Sequence, residues 1–188
     1  MNSPDFPSRT QDEWIVLRCQ AGEERAFDDL LRLMQRPLFY YTTKVTGNPE
    51  MALDVLQDVW LKVFREIRRL HNPGSLRPWL YRIAHGIAVD RIRQRISRER
   101  TEVAHVNGFS EFEDVSFATE DAAAIHEALN ELGTKHREVL VLYFLEEFSL
   151  AEIAMIIGCS EGTIKSRLHY AKKAMKQLLS GGGYGTSR

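Results

Sequence analysis

The chain has 188 residues, 44% hydrophobic and 27% charged, with a formal net charge of −1, which suits one folded domain or two small ones and excludes disorder throughout. No apolar run approaches the roughly 18 to 20 residues a membrane span requires, and the opening MNSPDFPSRT is polar without a signal-peptide core, so an intracellular protein without membrane insertion is expected. Cys19 and Cys159 lie in helical patterns without C-x-x-C or Cys/His ligand spacing, which argues against a disulfide scaffold or a zinc site.

The near-neutral total hides a segmented distribution. Residues 1–61 carry six basic against ten acidic side chains, residues 62–100 eleven against three, residues 101–161 two against thirteen, and residues 162–188 six against none. Two basic blocks separated by an acidic one fit two contacts with a polyanion better than one diffuse patch. They also predict attraction between basic and acidic blocks when no nucleic acid is present.

In chain order, a tail over 1–10 precedes EWIVLRCQAG, a short helix that stops at Gly22. Phe27, Leu30, Leu31, Met34, Leu38 and Tyr41 then keep a helical spacing of three or four, with Pro37 expected to kink or interrupt the run. Thr46-Gly47-Asn48-Pro49 punctuates the boundary: Gly as C-terminal cap, Asn as the next N-cap, Pro at the first helical position. The following helix, to about Leu70, sets Ala52, Val55, Leu56, Val59, Trp60, Val63, Phe64 and Ile67 on a broad core-building face. Its other side, Asp54, Gln57, Asp58, Leu61, Lys62 and Arg65, is an exposed strip suited to a protein partner. Asp54 and Asp58, four apart, could ligate a metal, but no second ligand cluster lies nearby in sequence, so no metal is expected.

Residues 71–75, HNPGS, read as a loop, and Pro78 suits the first turn of the next helix. That helix interleaves Trp79 and Tyr81 with Arg82, Arg91, Arg93, Arg95, Arg98 and Arg100. Rings that stack on bases beside guanidinium groups that hold phosphates suit melted nucleic acid. The competing reading makes Trp79 and Tyr81 core residues under a charged face. Residues 99–118 lose periodicity, turn acidic and read as a flexible linker of about twenty residues, too long for the inside of one domain. Its Phe109, Phe112 and Phe117 could also fill a basic groove.

A second domain over 119–180 opens with EDAAAIHEALNEL, has Gly133 as a stop, and continues with KHREVLVLYFLEEF as an amphipathic helix. Ser149 and Glu152 stand in capping-box relation, Gly158 suits a left-handed exit, and Ser160 can cap the next helix. There Ile164, Leu168, Ala171 and Met175 form one buried stripe, while Thr163, Lys165, Ser166, Arg167, His169, Lys172 and Lys173 point outward toward base edges and phosphates. A plain helical hairpin with a solvated lysine face is the bland alternative. The tail over 181–188 is glycine-rich and expected to be mobile. The pattern is all-α throughout, in two small helical domains. The six histidines are scattered, and no nucleophile, base and orienter can be assembled by spacing, so no catalytic residue, cofactor or small-molecule substrate is expected.

These segments resemble the extracytoplasmic-function (group 4) sigma factors of bacterial RNA polymerase, over nearly the whole chain. DVLQDVWLKVF (54–64) is similar to the family's core-polymerase-binding helix, RPWLYRIAHGIAVDRIR (77–93) to its −10 segment, and FSLAEIAMIIGCSEGTIKSRLHYAKKAM (148–175) to its −35 reader. The resemblance implies a sigma region 2-like domain over 11–98 and a sigma region 4-like helix-turn-helix domain over 119–180. It implies core polymerase contacts at Asp54, Gln57, Asp58, Leu61 and Arg65. It implies −10 contacts at Asn72, Ser75, Arg77, Trp79, Tyr81, Arg82, His85, Arg91 and Arg93, and −35 contacts at Ser160, Glu161, Thr163, Lys165, Ser166, Arg167, His169, Lys172 and Lys173. Promoter DNA, core RNA polymerase and a separate anti-sigma factor follow as partners, in the bacterial cytoplasm. The chain departs from the family pattern at His85-Gly86, where an Asn is usual, at Gly133 in place of a Pro, and at Tyr170 in place of an Arg. A stand-alone helix-turn-helix regulator, or a protein that sequesters a partner, remains the alternative.

Overall fold

In the computed structural model, which describes residues 6–99 and 120–181, every regular element is helical. Nearly all of the expected linker and of the expected glycine-rich tail lies outside the described residues. Helix α1 (Phe6–Gln20) begins inside the stretch expected to be a tail. Pro7 falls in its first turn, where a missing N–H costs nothing. Gly22 (φ 84°) then turns the chain in the left-handed region.

Helix α2 (Glu24–Thr46) is continuous through Pro37, so of the kink or interruption expected there the interruption does not occur. Leu30, Met34, Leu38 and Tyr41, on both sides of the proline, are fully buried, so tertiary packing holds the run together across one lost hydrogen bond. Its end is as read from sequence: Gly47 is left-handed (φ 67°) and donates its N–H to Thr43 O, and the Asn48 side chain accepts from Met51 N at 2.8 Å.

Helix α3 (Pro49–Glu66) follows, tightening into a 3-10 turn over Ile67–Arg69. Its buried face is Ala52, Val55, Leu56, Val59 and Val63. Phe64, expected in that face, is instead 66% exposed. It lies a full 100° around the helix from Val63, and its edge contact with Phe27, 5.1 Å between ring centres, ties it to the core. A 3-10 turn over Pro73–Ser75 leads into α4 (Leu76–Glu99), whose Leu76, Leu80, Tyr81, Ala84 and Ala88 are fully buried.

The second half starts with α5 (Glu120–Glu131). Gly133 does lie at the boundary but not as a left-handed stop: at φ −58° it heads α6 (Thr134–Leu140), its carbonyl accepting from His136 N and Arg137 N. The expected helix over KHREVLVLYFLEEF runs from α6 straight into a π turn, Val141–Leu145, on helical backbone, and has ended by Glu147, which has φ 57°. Helices α7 (Leu150–Ile157) and α8 (Glu161–Gly181) form the helix-turn-helix.

The two halves are not held apart. Helix α2 packs on α6 and α4 on α7, and one buried cluster runs through both. The Tyr81 ring sits between Tyr41 and Phe148, at 5.0 Å from each.

Candidate nucleic-acid and partner interfaces

The helix-turn-helix is built by local rules. The Ser149 hydroxyl accepts from Glu152 N while the Glu152 carboxylate accepts from Ser149 N, closing the capping box. Gly158 (φ 75°) makes the left-handed exit, and Ser160 Oγ accepts from Thr163 N at 3.2 Å to start α8. Ile164, Leu168 and Ala171 are buried and Met175 is half-buried, so at 100° per residue the opposite face carries Gly162, Ser166, His169 and Lys173, all exposed. Ser160, Glu161 and Lys165 are exposed beside it; Thr163 and Arg167 are half-buried on one flank. Lys172 departs from the expected set. Its Nζ lies 5.1 Å from the ring centres of both Tyr143 and Phe144, drawn there by the negative ring faces. It borders a groove of about 740 Å³ with Ala124, Ile125, Phe144 and Leu145 rather than the outward face.

The −10 candidates divide into an open loop and a covered helix face. Asn72 is exposed, its side chain accepting from Gly74 N at 3.1 Å while its carbonyl accepts from the Ser75 hydroxyl at 2.7 Å. Trp79 is half-buried, and Arg82 and Arg93 are exposed. Arg77 is tied through Nε to Asp12 Oδ2 at 2.6 Å, and Arg91 through Nη2 to Asp58 Oδ2 at 2.5 Å. Asp58, expected on the partner strip, therefore spends its carboxylate on α4.

Tyr81 corrects the stacking expectation. It is fully buried, so in this arrangement it is the core residue of the competing reading. Its hydroxyl has no partner in hydrogen-bonding geometry among the described residues, yet lies close enough to Glu146 to feel its charge. Burial, then Glu146, pushes the phenol up. Burial likewise pushes the Glu146 carboxyl up, opposed by Tyr81 and by Arg77.

His85 meets the second half directly. Its Nδ1 lies 2.7 Å from Oε1 of Glu138, which is 5% exposed and also accepts from the Tyr41 hydroxyl at 2.7 Å. Nearby, Tyr40 Oη lies 2.6 Å from His126 Nδ1, Lys44 Nζ donates to Asn130 Oδ1 at 2.5 Å, and Arg137 Nη1 donates to Lys44 O at 3.1 Å. Burial, then Arg137, brings Lys44 down to about 8; burial, then Lys44, lowers His126. Two carboxylates of the acidic segment thus face the first half: Glu138, buried against Tyr41 and His85, and half-buried Glu146, near Tyr81 and Arg77. Glu138 and Glu146 were invisible in sequence, since Tyr41 and Glu138 stand 97 residues apart.

On α3, Asp54, Gln57, Leu61 and Arg65 are exposed as expected. Leu53 and Phe64 join them, so the strip reads Leu53, Gln57, Leu61, Phe64, with its apolar members 38%, 56% and 66% exposed. Their spacing of four, four and three was available in the sequence but was assigned to the core at Phe64. No group of three His, Cys, Asp or Glu that could hold a metal occurs among the described residues.

Comparison with known proteins bears on both halves. The Sigma-70 region 2 family description matches residues 30–98 and the Sigma-70 region 4 description matches residues 122–175. The chain is 27% identical to the ECF RNA polymerase sigma factor SigW of Bacillus subtilis over 176 residues, covering 87% of this chain and 94% of that protein. It is 30% identical to the ECF RNA polymerase sigma factor SigM of Mycobacterium tuberculosis over 159 residues, covering 85% and 80%. Among solved structures it is similar to the sigma factor RpoE from Bartonella quintana, seen in complex with the anti-sigma factor NepR: TM-score 0.72 and 25% identity, covering 82% and 96%.

Proposed function

The chain belongs to the extracytoplasmic-function sigma factors of RNA polymerase, and from that premise we propose how its two halves divide promoter recognition. Residues 11–98 dock on core polymerase and hold the melted −10 strand; residues 119–180 read the −35 duplex; residues 99–118 tether them. The observation that carries this division is the outward face of α8, uncovered and basic, on a helix whose start is set by Ser160. Ser160, Glu161, Thr163, Lys165, Ser166, Arg167, His169 and Lys173 form the −35 contact, with Lys172 assigned to the groove instead. An α-helix enters the major groove of B-DNA, and the first turns of such a helix are those that reach base edges.

Asn72, Ser75, Arg77 and Trp79 at the loop, with Arg82, His85 and Arg93 along α4, form the −10 contact. Capturing unpaired bases needs an open loop and a ring or guanidinium plane to stack on. Gln57, Leu61 and Phe64 dock core polymerase. Binding energy drives melting, so no catalytic residue is assigned. No described helix is long and apolar enough to cross a membrane, in keeping with a proposed place in the bacterial cytoplasm. The NepR complex of the related RpoE supports an anti-sigma factor as regulator.

Reading both elements at once requires the halves to separate. Arg82 and Glu161 line one crevice, whereas −10 and −35 elements lie about 25 base pairs apart, on the order of 85 Å at 3.4 Å per pair. The described arrangement is therefore that of the chain off the promoter.

The test is transcription by core polymerase reconstituted with the purified chain on pooled genomic fragments. Specific initiation supports the proposal. Operator binding without core, and no initiation with it, would replace it with a stand-alone regulator. Lys165→Ala or Arg167→Ala should weaken −35 binding with core affinity intact; Gln57→Ala with Leu61→Ala should do the reverse.

A further inference from the structure

Helix α1 precedes the matched region 2 segment, which begins at residue 30, yet it holds both ends of the loop assigned above to −10 capture. At the entry, the Gln20 side-chain amide donates to Leu70 O at 2.8 Å and to Ile67 O at 3.3 Å. Leu70 O lies where the chain leaves its helical path and would otherwise need a partner, while Ile67 O already accepts from Leu70 N at 3.1 Å. At the exit, Asp12 grips Arg77 at 2.6 Å. Between them the Glu13 carboxylate lies against Gly74. Asp12 and Gln20 are eight residues apart, about 12 Å along the helix axis, so one rigid element spans the loop.

Anchoring α1 to the bundle does not need these polar groups. Ile15, Val16 and Cys19, on the same side, are buried and supply that contact. Asp12 is 5% exposed and its Oδ1 has no partner among the described residues. A carboxylate so placed is a costly way to gain stability, but a directional way to fix one guanidinium. We propose that Asp12 and Gln20 are positioning residues for promoter recognition: they set the shape of loop 67–77, and through Arg77 the fit of the captured −10 base. The proposal rests on the assignment of that loop to the −10 strand.

The experiment uses holoenzyme and a forked promoter whose −10 segment is single-stranded, with each −10 base replaced in turn. Discrimination is the ratio of affinities for the original and replaced base. Asp12→Asn and Gln20→Ala should each cut discrimination at the captured base about tenfold, leaving affinity for core polymerase and for −35 duplex within twofold. Asp12→Glu should recover part of it. Asp12→Ala and Arg77→Ala combined should lose no more than Arg77→Ala alone, because one acts through the other. Unchanged discrimination in the α1 variants, with Arg77→Ala and Trp79→Ala abolishing it, overturns the role of α1. If Arg77→Ala and Trp79→Ala are also silent, the −10 assignment itself fails. Equal loss of core, −35 and −10 binding means α1 is only a structural prop, which also overturns the proposal.

Discussion

The outer face of α8 and the inner face of α4 are both assigned to DNA, but they are built differently. On α8, Gly162, Ser166, His169 and Lys173 meet solvent, and the residues that orient them are sequence neighbours. On α4, Tyr81 and His85 are covered by Phe148 and Glu138 of the other half, and Arg77 is held by Asp12. One face is available as folded; the other is used twice, as part of a seam and as a reader. The polar part of that seam, the Tyr41 and His85 contacts with Glu138, exchanges partners more readily than the buried apolar cluster around it, because polar groups lose less on re-exposure to water.

The comparison breaks most severely if α8 loses its footing. Ile164→Ala, at a fully buried site, should cost about 2 to 5 kcal/mol. In urea the second half should unfold first, taking −35 binding with it while α4 stays folded by hydrogen exchange. Glu138→Ala comes next, because it strands the buried Tyr41 hydroxyl and unpairs His85 at an expected cost of about 1 to 3 kcal/mol. Spin labels on α4 and α8 should then report a broader, longer distance distribution than in the parent. An unchanged distribution would mean that apolar packing alone holds the seam.

The same seam should respond to pH. The depressed His126 binds protons less readily folded than unfolded, so its penalty is absent well above pH 6.5 and grows as pH falls through that value toward its folded one. Lys44 has the same sign at higher pH: folded near 8 against 10.5, it adds stability as pH rises between the two. The raised Glu146 carboxyl has the opposite sign at the acid end, so the clear rise in urea midpoints is expected between about pH 8 and 10, and Lys44→Met should flatten it. The smallest effect is Ser149→Ala, about 1 kcal/mol from loss of the α7 cap, with the seam distances unaltered.

What was legible in the sequence follows from range. The capping box at Ser149, the left-handed glycines at 47 and 158 and the Asn48 cap depend on atoms within a few residues, so spacing alone located them. Phe64 was misassigned because helical periodicity gives a sector and not its edge; whether the edge is covered depends on Phe27, on another helix. At Pro37 a kink or an interruption of α2 is expected because the sequence shows the lost donor and not the burial on either side, which keeps the helix continuous. Lys172 was expected among the phosphate contacts because its positive charge is visible in sequence, whereas the rings of Tyr143 and Phe144 that draw it aside come from α6's continuation.

The sequence by itself determined the all-α class, the helix-turn-helix and the two separate basic blocks, since each is a local periodicity or a charge count. Tertiary structure alone decided that Glu138 would sit against Tyr41 and His85, and that Asp12 and Gln20 would hold the ends of loop 67–77. Those pairings join residues 47 to 97 positions apart. No spacing rule reaches so far, because contacts at that distance are selected by how whole helices pack and not by the turn of any one of them.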